Sequence, residues 1–158
     1  MNCIGIRVKP TEVYFTVLSI NGNDVEIKTT DKIKIPVSMD VPDQLSYIRT
    51  TLFSIVNEYN ITNAGIRRME DNSPSNKLEP IIKRAYFEGV IQELISNCII
   101  EKYFSGKISK LGNLLGYKPN EIKACIDGEN NLFCVDEWES YNSEERESIL
   151  CALASSQI

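Results

Sequence analysis

A mixed α/β fold with a partly antiparallel sheet is what this chain predicts, on three observations. Period-two runs rich in β-branched and aromatic residues fill the chain before Pro36, broken by Lys9-Pro10-Thr11 and Asn21-Gly22. Helical spacing takes over after Pro36 and then alternates with short apolar runs. No internal repeat or low-complexity segment interrupts the pattern, so the 158 residues read as one domain, 1–158, long enough to bury a substantial core.

Cys3 to Val8 reads as a strand with Ile4, Ile6 and Val8 on one face and Cys3, Gly5 and Arg7 on the other. Glu12 to Ile20 and Val25 to Ile35 follow as two more antiparallel strands, joined by a type I′ turn at Asn21-Gly22. Leu45, Ile48, Leu52, Ile55, Val56 and Tyr59 recur at helical spacing behind a candidate cap at Asp43. Thr62 to Met69 is a fourth strand, and 71–76 (Asp-Asn-Ser-Pro-Ser-Asn) has the composition of a loop. Leu78 to Ile95 forms the longest helix, with Pro80 in its first turn. Cys98 to Tyr103 completes a five-stranded sheet. Helices then cover Ile108 to Leu115, closed by Gly116, and Asn120 to Ile126, opened by Pro119. The tail, Ser143 to Ser155, is a helix capped by Ser143, with Glu144 and Glu145 complementing its dipole.

Composition narrows the chemistry. Apolar residues at 42% and charged residues at 25% describe an ordinary globular protein, for which a packed core is expected. A formal charge of -5 argues against a whole-surface grip on nucleic acid and leaves room for a local basic patch. The absence of histidine removes the commonest general base, imidazole zinc ligands and every Ser-His or Cys-His nucleophile pair. Five scattered cysteines without a C-x-x-C spacing read as reduced core thiols. No apolar run reaches the length of a membrane helix and no leader pattern opens the chain, so the expected location is the cytoplasm, away from any membrane.

Ile4-Gly5-Ile6-Arg7-Val8-Lys9-Pro10 resembles the first strand of the ribonuclease H-like superfold in its RuvC-like resolvase branch, where a catalytic Asp follows Ile-Gly-Ile. Ala64-Gly65-Ile66-Arg67 resembles that branch's fourth strand, which ends in a Glu, and residues 83–91 resemble the helix after it. The strand is similar, more closely still, to that of a family of small uncharacterised bacterial proteins with degenerate catalytic acids. The resemblance implies a mixed five-stranded sheet, three antiparallel strands first and parallel strands after, flanked by helices. It also implies a site at the ends of strands one and four, where relatives hold two Mg²⁺ ions with carboxylates. Here those positions are Arg7 and Arg67, which are always cationic and have no acceptor.

The leading expectation is a catalytically inactive domain, without a cofactor, that acts as a binding or assembly module in a nucleic-acid-handling complex. It would pair with itself or a protein partner. Arg7, Lys9, Arg67 and Arg68 could instead receive a phosphate or carboxylate, or be tied to acids in a salt-bridge network. A displaced Mg²⁺ site of a nuclease would draw on Glu70, Asp71, Glu144 and Glu147, with Glu12 a further candidate. Lys83, Arg84, Tyr86 and Phe87 combine charge and aromatic rings as single-strand binders do, although helical geometry sends the two rings to adjacent faces. Trp138, set between Glu137 and Glu139, reads as a packing anchor or a partner contact.

Overall fold

The computed structural model describes residues 1–22, 24–70, 77–98 and 100–158. The expected loop at 71–76, and with it Asp71, lies outside the described residues. The chain runs β1 (Asn2–Val8), β2 (Glu12–Asn21), β3 (Asp24–Lys34), α1 (Val41–Glu58), β4 (Asn63–Arg67), α2 (Leu78–Asn97), β5 (Lys102–Gly106), α3 (Ile108–Leu115), α4 (Pro119–Ile126), a single 3₁₀ turn at Trp138–Ser140, and α5 (Ser143–Ser155). The sheet order is β3-β2-β1-β4-β5. β1, β2 and β3 are antiparallel neighbours, whereas β4 and β5 add in parallel.

Strand alternation divides the core into two layers. Ile4, Ile6, Val8, Val13, Phe15, Val17, Ala64 and Ile66 meet Ile48, Leu52 and Val56 of α1 and Phe87, Ile91, Leu94 and Ile95 of α2. The other face carries Cys3, Leu18 and Phe104 toward α5 and the α3–α4 pair. Arg7 and Arg67 have the parity of Cys3 and Asn63, so they too project to the α5 side.

Several boundaries differ from expectation, each for a physical reason. α1 starts after Asp40, whose side chain makes no cap bond, with Pro42 in the first turn, while Asp43 sits inside that turn beside the positive dipole end. α5 is capped by Asn142, not Ser143: Asn142 Oδ1 accepts from the Glu145 N–H and the Glu145 carboxylate accepts from the Asn142 N–H. The fifth strand is Lys102–Gly106, because α2 runs on to Asn97 to bury Leu94 and Ile95, and Cys98 caps it through Leu94 O. Asn21 pairs with Asp24, and Gly22 takes φ +65°, the left-handed conformation such a hairpin requires.

β3 also contains a bulge that its odd-numbered apolar residues conceal. Val17 pairs with Thr29 and Leu18 with Ile27, so Lys28 is the extra residue. One inserted residue reverses the faces, which is why Ile27 packs on the α5 side and Ile33 on the α1–α2 side.

Candidate functional site

The site is built by α5 lying directly on a glycine platform. Gly5 and Gly65 are register partners in β1 and β4. An added Cβ on Gly5 would fall 2.0 Å from Ser148 O, and one on Gly65 2.5 Å from Cys151 O. Only glycine lets the helix backbone approach so closely. Two hydrogen bonds fix the contact: the Thr16 and Ser148 hydroxyls are 2.7 Å apart, and Asn63 Nδ2 donates to Ser155 O at 2.9 Å. The first turns of α5 thereby carry Glu144 and Glu147 to the C-terminal ends of β1 and β4.

Arg7 and Arg67 face each other in register there. Glu147 Oε2 lies 2.8 Å from Arg7 Nε and 3.2 Å from Arg67 Nε, with all three side chains nearly buried. Neither contact is a well-aligned hydrogen bond, so the carboxylate balances charge without giving either Nε–H a linear acceptor. Arg67 Nη2 reaches Glu70 Oε1 at 2.7 Å, and its Nη1 donates to Arg68 O. Glu70 Oε1 also accepts the Ile108 N–H at 3.0 Å, which joins the site to α3. Lys9 pairs with Glu144 at 2.8 Å. Burial pushes the Glu144 carboxyl up, but hydrogen bonds from Lys9 and Ser143 and the Lys9 charge outweigh it and leave the group below its ordinary value.

The anion-site candidates therefore separate. Each Arg67 nitrogen has an oxygen nearby although its Nε makes no aligned hydrogen bond, Lys9 is paired, and Arg68 is exposed. Arg7 keeps a buried Nη1 without a partner among the described residues. The metal candidates separate as well. Glu70, Glu144 and Glu147 each face a cation, Glu12 is bound to Lys32 and Tyr14 on the β2–β3 edge, and no group of three or more Cys, Asp or Glu side chains forms a metal cluster among the described residues. Carboxylates taken up by guanidinium and ammonium groups, with two arginines at the strand ends, do not fit a Mg²⁺ pair, which needs free oxygen ligands in a negative field.

Arg84 on α2 is the member of the cluster not foreseen for an anion. Its side chain is 9% exposed, its Nε donates to Glu88 Oε1 at 3.2 Å, and Nη2 is buried without a partner among the described residues. Glu88 Oε1 also accepts the Met69 N–H at 3.0 Å, anchoring α2 to the exit of β4. Burial first, and the positive charge of Arg7 second, pull the Arg84 guanidinium below its ordinary value. The i,i+4 Arg84-Glu88 spacing was visible in the chain, but nothing local marked the pair as buried. Its neighbours disperse: Phe87 is in the core, Tyr86 is half exposed, and Lys83 lies 6.0 Å from the Phe87 ring centre. Trp138 is buried, donates to Cys125 O at 3.2 Å and lies under Arg146, and so serves as a packing anchor.

Neither a protein-family model nor a curated protein sequence matches the chain. Among solved structures, Thermus thermophilus RuvC superposes with a TM-score of 0.74 at 12% identity, covering 99% of this chain and 94% of that one. The yeast mitochondrial Holliday junction resolvase gives a TM-score of 0.62 at 14% identity over 98% of this chain and 77% of that one. The fowlpox virus resolvase, solved with Holliday junction DNA, gives 0.55 at 12% identity over 98% and 95%. With the sheet order, the glycine platform and these superpositions in hand, the chain has the ribonuclease H-like fold in the arrangement of the RuvC-like resolvases.

Proposed function

We propose that this is a non-cleaving resolvase-fold domain, a binding or assembly module for nucleic-acid handling. The observation that carries the reading is the Arg7–Glu147–Arg67 bridge, which fills the strand ends with two cations and ties up the carboxylate between them. A metal ion approaching this end would meet like charge at a few ångströms. The superposed Thermus RuvC has also been solved with a Holliday junction substrate, which makes branched DNA the first nucleic acid to test.

Purified protein is expected to bind a four-way junction without cutting it in Mg²⁺ or Mn²⁺, read by gel shift and by denaturing gel on the same samples. Cleavage that vanishes in Glu70→Ala or Glu144→Ala would establish a nuclease with displaced carboxylates instead.

Self-association is the form of assembly that α2 favours. Leu78, Ile82 and Tyr86 form an i, i+4, i+8 stripe that is 70%, 39% and 52% exposed. Gly89 continues the face, and a Cβ there would meet nothing within 4 Å, so no contact among the described residues accounts for a mid-helix glycine. An antiparallel two-fold pairing sets the large residues of one copy on the small ones of the other. Light scattering at micromolar concentration is expected to give a dimer, and Ile82→Lys a folded monomer whose melting temperature, unlike the parent's, does not depend on protein concentration. A monomeric parent would remove α2 as the assembly face.

A further inference from the structure

We propose that the cleft between β3 and residues 133–141 takes an extended segment of a partner protein, one that pairs with the outer edge of β3 and carries apolar side chains flanked by Lys or Arg. The inference rests on reading the domain as an assembly module, and it names a partner chemistry for a face apart from α2 and from the strand ends. The cleft encloses about 550 Å³ and is lined by Val25, Ile27, Phe133, Tyr141, Ile149 and Leu153. Val25 and Ile27 have the parity that faces α5, and Val25 is 51% exposed there. An apolar wall beside an unpaired strand edge is the arrangement that strand addition uses: backbone hydrogen bonds hold the segment and the wall takes every second side chain.

Only one half of that edge is guarded. β3 ends the sheet, and no strand pairs with its far side among the described residues. The bulged Lys28, with Lys32 and Lys34, lies toward the C-terminal half, where a bulge and lysines discourage a further strand. Asp24 to Ile27, beside the cleft, has no bulge and no lysine.

Charge identifies the occupant. Seven acids and no Lys or Arg fall between 127 and 145, more negative charge than the -5 of the whole chain, so the remainder is net positive. Asp136 and Glu137 line the cleft, are exposed, and enter no salt bridge among the described residues. Glu26, the third lining acid, is held by Lys28 at the surface. Arg146 donates to the carbonyls of Ile126, Trp138 and Glu139, so its guanidinium is committed to backbone. Burial first, and then the charges of Glu137 and Glu145, push the Tyr141 phenol above its ordinary value, so the negative field reaches into the cleft. Such a face repels a phosphate backbone and attracts a basic segment.

The probe is fluorescein-Lys-Arg-Val-Thr-Ile-Thr-Val-Arg-Lys, followed by anisotropy. It is expected to bind the parent, to slow hydrogen exchange at the backbone amides between Val25 and Ile27, and to bind more weakly as salt rises. The Asp136→Lys/Glu137→Lys protein is expected to bind it at least about tenfold more weakly. Val25→Asp separates the cleft from simple charge attraction: it adds an acid, yet is expected to lose about tenfold or more because an apolar contact is gone. Val135→Asp, on the same cleft, serves if that variant does not fold. The proposal is overturned by a parent that ignores the probe, that binds it without protecting β3, or that binds Lys-Arg-Val-Ile-Val-Thr-Thr-Arg-Lys, the same composition without the alternation, equally well. A Val25→Asp protein that binds as tightly as the parent overturns it too. Hexylamine that displaces the probe at the probe's own concentration overturns it in favour of a small-amine site. Junction binding and the α2 dimer are read by other assays, so either reading can fail while the other stands.

Discussion

Glu147→Ala is expected to destabilise the domain by about 3–5 kcal/mol, the cost of removing one partner from a buried charge cluster. Glu147 Oε2 is the oxygen that both Arg7 and Arg67 approach through Nε, and its loss leaves two facing guanidiniums without their shared counter-charge. Arg67 retains Glu70, whereas Arg7 has no other salt bridge among the described residues, so most of the penalty falls on Arg7. That asymmetry gives the test its second arm. Arg7→Met in the Glu147→Ala background is expected to recover much of the lost stability, because it removes the stranded charge while its long apolar side chain fills the space. Arg67→Met in the same background is expected to recover less. Urea titration of the four proteins reads all three differences; with the Arg7→Met single variant added as a fifth, an additive cycle between Arg7 and Glu147 would show that the contact is not energetically coupled.

The cluster also shows where sequence reasoning reaches and where it stops. The two faces of β1 were legible because alternation is a local property: Ile4, Ile6 and Val8 against Cys3, Gly5 and Arg7 are separated correctly by parity alone. The meeting of Arg7 with Arg67 depended on the likeness of Ile4-Gly5-Ile6 and Gly65-Ile66 to paired strands, and the register bears it out. The same parity rule does not carry through β3, where Ile27 and Ile33 sit on opposite faces, because a bulge leaves no mark in a polar run such as Lys28-Thr29-Thr30-Asp31-Lys32. Asn142-x-x-Glu145 is a capping box that the sequence spells out, one residue before the Ser143 expected as the cap. Arg84 and Glu88 were missed for a different reason. Charged residues are seldom buried, and only the packing of α2 against the end of β4 encloses this pair.

Gly5 and Gly65 carry the least obvious information in the chain, and Gly5→Ala is the sharpest test of it. One methyl group on Gly5 would lie 2.0 Å from Ser148 O, 2.2 Å from Ala152 N and 2.9 Å from Ala152 Cα, all of them α5 backbone atoms that no rotamer change can move aside. The helix must lift or β1 must bend. Either movement opens the Thr16–Ser148 and Asn63–Ser155 hydrogen bonds and draws Glu147 away from Arg7 and Arg67. Overpacking of a core normally costs about 1–3 kcal/mol. With the site's ion pairs coupled to the same displacement, the expected loss is about 3 kcal/mol or more, in the range reserved for severe core lesions. Gly89→Ala provides the opposite case in the same protein. Its Cβ meets open space in the middle of α2, so the helix should gain about 0.5–1 kcal/mol as a monomer from alanine's better propensity. Urea midpoints for the two variants should therefore move in opposite directions. A Gly5→Ala protein as stable as its parent would mean that α5 does not rest on the sheet at this point, and the account of how Glu147 reaches the two arginines would fall with it.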